Sequence, residues 1–348
     1  MKKILVGLSG GVDSAVSAYL LKKAGYEVVG GFMINYLAPP GEYCPTLEDI
    51  EVAKEVAAFL DIPFFTFNYI KEYEEKVLNY MYEGYKKGIT PNPDIMCNTE
   101  IKFKVFLDEA LEHGFDGIAT GHYAQIEKIG NNFLLKKGID ENKDQSYFLS
   151  GLTQKQLSKS IFPIGNLKKE DVRKIAIEIG LPNALRKDSQ GICFVGKVDL
   201  SKFLEKKIAH KPGYIIDTSG KVLGKHNGVF YYTIGQRKGL DLGGLKEPVF
   251  VIKKDILKNE LVVGTSSDEE LFKDFLELSI LENPKNISFP YSGYAKIRYR
   301  QQDQKCLIDK IGEKYIVKFE SPQRAIANGQ ICAIYDENGF LILSGVIL

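Results

Sequence analysis

From residue 1 to about 120 the chain alternates short apolar runs with segments of helical periodicity. Ile4-Leu5-Val6-Gly7-Leu8 predicts a strand, and a helical pattern follows with Val12, Ala15, Val16, Tyr19 and Leu20 on one face. Glu27 to Ile34 predicts a second strand, and Pro63 to Phe67 a third, buried one. Thr46-Leu47-Glu48-Asp49 reads as a capping box opening a helix through Ile50, Ala53, Val56, Ala57 and Leu60. Tyr73 to Lys86 and Ile101 to Glu112 predict two more helices, the second with Phe103, Phe106, Leu107, Ala110 and Leu111 turned inward. A further strand, Asp116 to Thr120, ends just before Gly121 and His122. Such alternation predicts an α/β doubly wound parallel sheet, and these sheets bind ligands beyond their strand C-termini. Gly11, Met33 and Gly121 each fall at or just after a strand end, so they are expected to converge on one crevice.

Beyond about residue 145 the pattern changes. Lys143-Asp144-Gln145-Ser146-Tyr147 leads to a helical stretch from Gln154 to Ser160 and a short link from Ile161 to Gly165. Lys168 to Ile179 predicts a helix closed by Gly180 and Pro182, and Ser201 to Lys207 a shorter one. From Gly213 turns and short strands take over, including the segment Phe230 to Gly239. From about 270 the reading is mostly β. Ala295 to Arg300 alternates with period two, Lys314 to Phe319 and Ile331 to Tyr335 read as strands, and Asp336-Glu337-Asn338-Gly339 predicts a hairpin turn before Phe340 to Leu343. A small barrel or sandwich is expected there. The chain has no internal repeat and no low-complexity tract.

Composition narrows the class. A chain of 348 residues suggests two or three domains, and 44% hydrophobic with 26% charged residues fits a globular protein with ample core. No apolar run approaches a membrane span and no signal peptide precedes the first strand, so a cytoplasmic location and no membrane partner are expected. Five cysteines, odd and sparse, argue against a disulfide framework. A net charge of +1 does not favour nucleic acid, so any RNA contact must come from local patches.

The stretch Ser9-Gly10-Gly11-Val12-Asp13-Ser14 lies between the first strand and the first helix. Adjacent glycines let the backbone turn sharply and approach a ligand closely, and the helix start offers unpaired N–H groups to an anion. Asp13 is unexpected, because a carboxylate beside phosphates repels them unless a divalent cation lies between. The segment has neither the Walker A nor the Rossmann glycine spacing. It resembles the SGGxDS pyrophosphate loop of the PP-loop ATPases, which split ATP between the α and β phosphates. That resemblance implies an adenylating enzyme using ATP and Mg2+.

Two cysteines stand in polar loops. Cys97 follows Thr90-Pro91-Asn92-Pro93-Asp94-Ile95-Met96, where two prolines predict an extended loop, with a helix starting near Glu100. A thiol at a helix N-terminus is expected to have a lowered pKa. Asp94 suits a proton acceptor or donor if the loop folds back, and a solvated turn aspartate accounts for it equally well. Cys193 stands in Asp188-Ser189-Gln190-Gly191-Ile192-Cys193-Phe194, which reads as an exposed loop. Cys44, Cys306 and Cys332 read as small buried hydrophobes.

Taken together, SGGVDS, TPNPDIMCN, GHY, KDQSYFL, DSQGICF, TIGQRKGL and SPQRA, in that order from Ser9 to Ala325, resemble the bacterial tRNA-specific 2-thiouridylases of the MnmA type. The resemblance implies a PP-loop ATPase domain (1–200), a small central domain (201–270) and a C-terminal β-barrel (271–348). Residues matching Gly7, Leu8, Ser9, Gly10, Gly11, Val12, Asp13, Ser14, Met33 and Gly121 would bind the nucleotide. The partners would be tRNA and a persulfide sulfur donor protein, and the reaction would be adenylation of the wobble uridine at C2 followed by sulfur transfer. The residue matching Cys193 would carry the persulfide. The one matching Cys97 would be the second catalytic cysteine, able to close a disulfide with it, and Asp94 the acid or base. A disulfide needs Cα atoms within about 6 Å, so at least one of these distant loops is expected to move. Counterparts of Asn92, Pro93 and Asp94 would meet the target base, and those of His122, Lys143, Asp144, Gln145, Arg298, Tyr299 and Gln330 the rest of the tRNA. Strict alternation would send Arg298 and Tyr299 to opposite faces, so both reach RNA only from a strand end or bend. On the residues alone, Lys296, Arg298 and Arg300 fit a solvated strand face. The chain departs from the family at Tyr36, where a tryptophan is usual.

Three other readings compete. Another PP-loop ligase acting on a small molecule explains SGGVDS but neither the paired loop cysteines nor the β domain. Iron–sulfur ligation would use two thiols and Asp94, short of the usual four cysteines. A non-catalytic tRNA binder conflicts with the intact Ser9, Asp13 and Ser14.

Overall fold

A computed structural model describes residues 1–39, 41, 44–188, 191, 193–196 and 199–348 of the chain. The first sheet is parallel and built from β1 (Lys3–Gly7), β2 (Glu27–Ile34), β3 (Phe64–Asn68), β4 (Gly117–Ala119) and a late two-residue strand. The antiparallel hairpin β5 (Ala124–Ile129) and β6 (Asn132–Lys137) intervenes before that late strand, β7 (Ser160–Ile161). The spatial order β3-β2-β1-β4-β7 places β1 at the centre, paired to β2 and β4 with Leu5 opposite Val29 and Ile118. Ile4, Leu5 and Val6 are almost wholly buried, as a central parallel strand covered on both faces requires. The order reverses at β1, so the turn leaving β1 opens into the crevice where doubly wound sheets hold ligands.

Several expected elements shift. Strand β3 is an edge strand, and Phe65 stands 56% exposed rather than buried, because an aromatic run does not tell an edge from a centre. The helix α2 (Pro45–Phe59), which follows α1 (Val12–Lys23), starts one residue ahead of the supposed capping box. Pro45, with its φ preset, takes the first helical position, Cys44 becomes the N-cap, and the Thr46 hydroxyl donates instead to the Tyr36 carbonyl at 2.9 Å. Cys44 is thus half-buried at a helix start rather than a core thiol. The two later helices are longer than expected. Helical runs over 70–86 and 93–112 each widen into π-type turns, at 74–78 and 98–105. The helix Lys169–Glu178 forms where the periodicity predicts it.

The middle of the chain forms a four-stranded sheet of β8 (Gly213–Asp217), β9 (Val222–His226), β10 (Phe250–Asp255) and β11 (Glu260–Gly264), ordered β10-β11-β8-β9. The last part is a closed six-stranded barrel of β12 (Phe272–Glu282), β13 (Tyr291–Lys296), β14 (Gln304–Ile311), β15 (Lys314–Arg324), β16 (Ile331–Tyr335) and β17 (Leu341–Ile347). Antiparallel pairing of β12 with β17 closes it, which removes free edges. The predicted turn at Asp336–Gly339 forms, with the Asp336 carboxylate accepting from the N–H groups of Asn338 and Phe340. The expected strand from Ala295 to Arg300 ends early, at Lys296, and Arg300 adopts a left-handed φ of 64° in the turn beyond it.

The sheet and the barrel share a core. Leu5, Met81, Ile101 and Phe106 belong to the same buried cluster as Ile331, Ala333, Tyr335 and Leu341 of the barrel. The Tyr147 hydroxyl donates across the junction to the Ile331 carbonyl at 3.0 Å. Truncating Leu5, which has no exposure, to alanine should lower the unfolding free energy by about 2–5 kcal/mol, checked by denaturant titration.

Candidate active site

The loop leaving β1 is knit by its own hydroxyls. The Ser9 N–H donates to Ser14 Oγ at 3.2 Å, and Ser14 Oγ donates to the Gly11 carbonyl at 3.0 Å. Gly10 takes a left-handed φ of 74°. Gly11 is the N-cap of α1 and no side chain caps that helix, so its first N–H groups remain available to an anion. Gly121, just past β4, lies so close to this helix start that a Cβ would meet the Ser14 nitrogen and the Asp13 carbonyl carbon at 2.7 Å. Met33 reaches the same place from β2, its methyl 3.4 Å from where a Gly7 Cβ would be. The loop, Met33 and Gly121 therefore converge as the strand ends predict.

Sequence reasoning missed what surrounds the loop. Asp13 receives Lys169 Nζ at 2.7 and 2.9 Å and the Tyr123 hydroxyl at 2.8 Å. Lys169 also pairs with Asp188, as do Lys143 and Arg173, all at 2.7–2.8 Å. Burial would raise the Asp188 pKa, but hydrogen bonds from Lys143 and Lys169 outweigh it and hold the carboxyl well below the usual range. The Gly10 carbonyl accepts from Asn183 Nδ2 at 2.9 Å and Arg186 Nη1 at 3.1 Å. Asp13 is thus compensated by a lysine on the helix Lys169–Glu178. Three further cations crowd the phosphate loop. They lie more than 120 residues from it in sequence, and of the three only Lys143 stands in a recognised motif, there as a position expected to face tRNA.

Past Asp188 the same segment reaches the cysteine site. Asp94 Oδ1 accepts from the Cys193 N–H at 3.0 Å, and the Tyr73 hydroxyl donates to the Cys193 carbonyl at 2.6 Å. The Phe194 ring, on a backbone with φ 66°, packs edge-on against Tyr73 at 6.1 Å and beneath Lys102 at 5.4 Å. Ser189, Gln190 and Ile192 of this loop lie outside the described residues. Cys97 is not at a helix N-terminus. Pro93 opens a helical turn, capped by the Asn92 side chain accepting from Ile95 N–H at 3.2 Å, and Cys97 ends fully buried within the run. Its thiol pKa is accordingly pushed well up, first by burial and then by Cys193, the opposite of the expected lowering. Cys193 is half-buried rather than exposed. Hydrogen bonding from Cys97 brings its pKa down, against burial and with help from Lys102, to about 7. The two thiols are free, and each acts on the other's proton affinity. Burial raises the Asp94 pKa, opposed by the Cys193 N–H. Among the described residues no group of three or more acidic, histidine or cysteine side chains is arranged to hold a metal ion.

Comparison with known proteins follows the same order along the chain. A model described as the tRNA methyl transferase HUP domain matches residues 2–197, the tRNA methyl transferase PRC-barrel domain matches 201–265, and an aminomethyltransferase beta-barrel domain matches 279–347. The tRNA-specific 2-thiouridylase MnmA of Pseudomonas savastanoi pv. phaseolicola is 46% identical over 356 residues, covering 100% of this chain and 94% of its own. This chain belongs to the tRNA-specific 2-thiouridylase family. The MnmA of Shouchella clausii is 46% identical over 340 residues, covering 96% of this chain and 93% of its own, and that of Alkaliphilus oremlandii is 45% identical, covering 99% and 96%. Solved structures overlap more loosely: the U34-tRNA thiolase NcsA from Methanococcus maripaludis has a TM-score of 0.36 and 19% identity, covering 52% of this chain and 57% of that one.

The positions expected to face RNA in a thiouridylase fall into three places. Asn92, Pro93 and Asp94 open the helical turn that leads to Cys97, and Gln330 of the barrel joins them. Its Nε2 donates to the Thr90 carbonyl at 2.8 Å, and Asn92 Nδ2 donates to its Oε1 at 3.4 Å. Arg298 and Tyr299 lie in the bend after β13, which removes the alternation problem. Arg298 is exposed, donating to the Arg324 and Ala325 carbonyls, while the Tyr299 ring packs 4.4 Å from Phe148. Lys296 is no solvated residue. Its side chain is 12% exposed and pairs with Asp144 and Asp303. The third group sits inside. His122 is buried between Phe103 and Phe162, its Nδ1 2.7 Å from Thr120 Oγ1, and burial together with Lys102 holds its pKa well below normal, so the ring is neutral. Lys143 pairs with Asp188 on the phosphate side. Asp144 is buried and accepts from the Gly138 and Ser146 N–H groups and the Ser146 hydroxyl, while Gln145 Oε1 accepts from the Tyr123 N–H. Asp144 is thus enclosed, while Gln145 stays half-buried.

Two measurements follow from these placements. Gly121→Ala should weaken ATP binding by at least about tenfold in calorimetry, since its Cβ displaces the α1 backbone. Asp144→Ala should lower the unfolding free energy by about 3 kcal/mol, leaving two N–H groups unpaired and Lys296 with Asp303 alone, while the folded protein keeps its tRNA affinity in filter binding.

Proposed function

We propose that this protein is an ATP-dependent tRNA-uridine 2-sulfurtransferase acting on the wobble uridine. One observation carries the reading. The chain segment from Asn183 to Phe194 braces the phosphate loop at one end and holds Cys193 against Cys97 and Asp94 at the other. An adenylation site and a thiol pair are thereby tied within one scaffold. The three-unit division near residues 200 and 270 belongs to the same reading.

In the first step the uridine N3 proton passes to Asp94, whose burial favours holding it. The C2 oxygen attacks the α-phosphorus of ATP, and pyrophosphate leaves into the loop at Ser9–Ser14, where the free α1 N–H groups and Lys169 meet its charge. Mg2+ commonly binds through one or two carboxylates plus substrate phosphates. Asp13, the carboxylate of the loop, is suited to hold it, sharing its charge with Lys169, and the ion would neutralise the phosphate oxygens. Cys193 receives sulfur from a persulfide donor protein. Its terminal sulfur attacks C2, and AMP leaves. Asp94 returns its proton to N3 and takes up the proton that Cys97 holds as the Cys97 sulfur attacks the Cys193 sulfur; a Cys97–Cys193 disulfide forms, and the electron pair of the broken S–S bond passes into the C2 thiocarbonyl. An external thiol reduces the disulfide. Release of free sulfide by Cys97 before the attack on C2 is the other order of the last two steps. No helix among the described residues is long and apolar enough to cross a membrane, which fits work on tRNA in the cytoplasm.

The test is nucleoside mass spectrometry of unmodified tRNA incubated with enzyme, MgATP and a persulfide donor. Wild type should give 2-thiouridine with stoichiometric AMP, while Cys97→Ser and Cys193→Ser should each give at least about a hundredfold less. Sulfide rescue of Cys193→Ser alone would make Cys193 a carrier only. AMP without thiouridine in every arm would replace this reading with a small-molecule ligase.

A further inference from the structure

Lys102 is the charged group of the cysteine site that the mechanism above leaves unused. It lies five residues beyond Cys97 on the helical run 93–112. At about 100° per residue an α-helix would turn positions five apart about 140° away from each other. The turns over Asn98–Val105 are wider, closing five residues on rather than four, and this brings Lys102 back to the Cys97 face. The widening decides which lysine enters the site. Lys76 and Lys104 both pair with Glu100 at the surface, at 3.5 and 2.9 Å. Lys102 instead turns toward the cysteine site, its Nζ 5.4 Å above the ring of Phe194, the residue that follows Cys193, where its charge acts on the Cys193 sulfur.

A half-buried ammonium is held best by negative partners. Burial works against the charge of Lys102, but Cys193, Cys97 and Asp94 outweigh it, and its pKa is raised. The other groups facing Cys193 supply no cation. Cys97 is a thiol with a raised pKa, Asp94 is acidic, Tyr73 holds its proton on the Cys193 carbonyl, and the nearby His122 is neutral.

We propose that Lys102 is a further catalytic residue: its ammonium binds the Cys193 sulfur and holds it as the anion that takes up, and then presents, the mobile sulfur. This rests on the sulfur-transfer reading above. With Cys193 already anionic, its sulfur attacks the outer sulfur of the donor persulfide, the donor S–S bond breaks, and the donor thiolate leaves with the electron pair. No proton moves, and Lys102 keeps its own. The terminal sulfur of the resulting persulfide then carries the negative charge beside the same ammonium.

The test reads Cys193 itself, with no tRNA present. The rate of alkylation of the Cys193 peptide is followed against pH by mass spectrometry in the full-length protein, as wild type, Lys102→Met and Lys102→Arg. Wild type should titrate with a midpoint of about 7. Lys102→Met should move the midpoint up by at least one unit, cutting the rate at neutral pH about tenfold, and Lys102→Arg should stay near wild type. If the methionine variant does not fold, Lys102→Gln takes its place with the same expectation. A folded neutral variant whose profile coincides with wild type overturns the proposal. Failure of thiolation by the wild type would instead sink the sulfur-transfer reading, leaving the titration result as it stands.

Discussion

The Gly10 carbonyl is the point on which the site depends. A tight glycine turn leaves this oxygen facing inward, and Asn183 and Arg186 both donate to it. Those two contacts fix the start of a segment that runs past Asp188 to Cys193. Its far end is held by Asp94, Tyr73 and the Phe194 ring. A phosphate loop and a reactive thiol, nearly two hundred residues apart in sequence, are thus spaced by one short stretch pinned at both ends. The left-handed φ of Phe194 persists because its ring is locked between Tyr73 and Lys102.

Charge is arranged with the same economy. Asp13 beside a phosphate cradle is tolerable because Lys169 and Tyr123 hold it, and Lys169 is in turn shared with Asp188. Around the cysteines the order of affinities is set by burial and contact. Cys97 is sunk in the core with its proton held, and Cys193 takes the hydrogen bonds that favour its anion. Two chemically identical side chains acquire opposite proton affinities because one is enclosed and the other faces a donor.

Much of this was legible in the sequence. The strand–glycine turn–helix at residues 4–20, the convergence of Met33 and Gly121 on it, and the β-rich final third follow from periodicity and turn chemistry alone. The errors have physical causes. Prolines at 91 and 93 point to an extended loop, but proline is favoured in the first helical position, so the segment after Asn92 is helical and Cys97 lies inside it. The shift at Lys102 depends on a π-type widening that no α-helical wheel anticipates. Lys169, Asn183 and Arg186 act through tertiary contacts with a loop at the other end of the chain, and local sequence carries no sign of those. Nothing in the sequence around Asp144 marks it as enclosed, yet its neighbours' N–H groups and Lys296 draw it inside.

The core shared between sheet and barrel has a further meaning. Three separate family models tile this chain, as though its parts were interchangeable modules. Yet the Tyr147 hydroxyl ends on a barrel carbonyl, Thr90 hydrogen-bonds Asn328, and Tyr335 fills a cluster that also holds Cys97 and Phe103. Modular ancestry and physical divisibility part company here. Cutting the chain at those seams would expose apolar surface on both pieces and strip the loop before Cys97 of its scaffold, so the parts stand or fall together as one folded body.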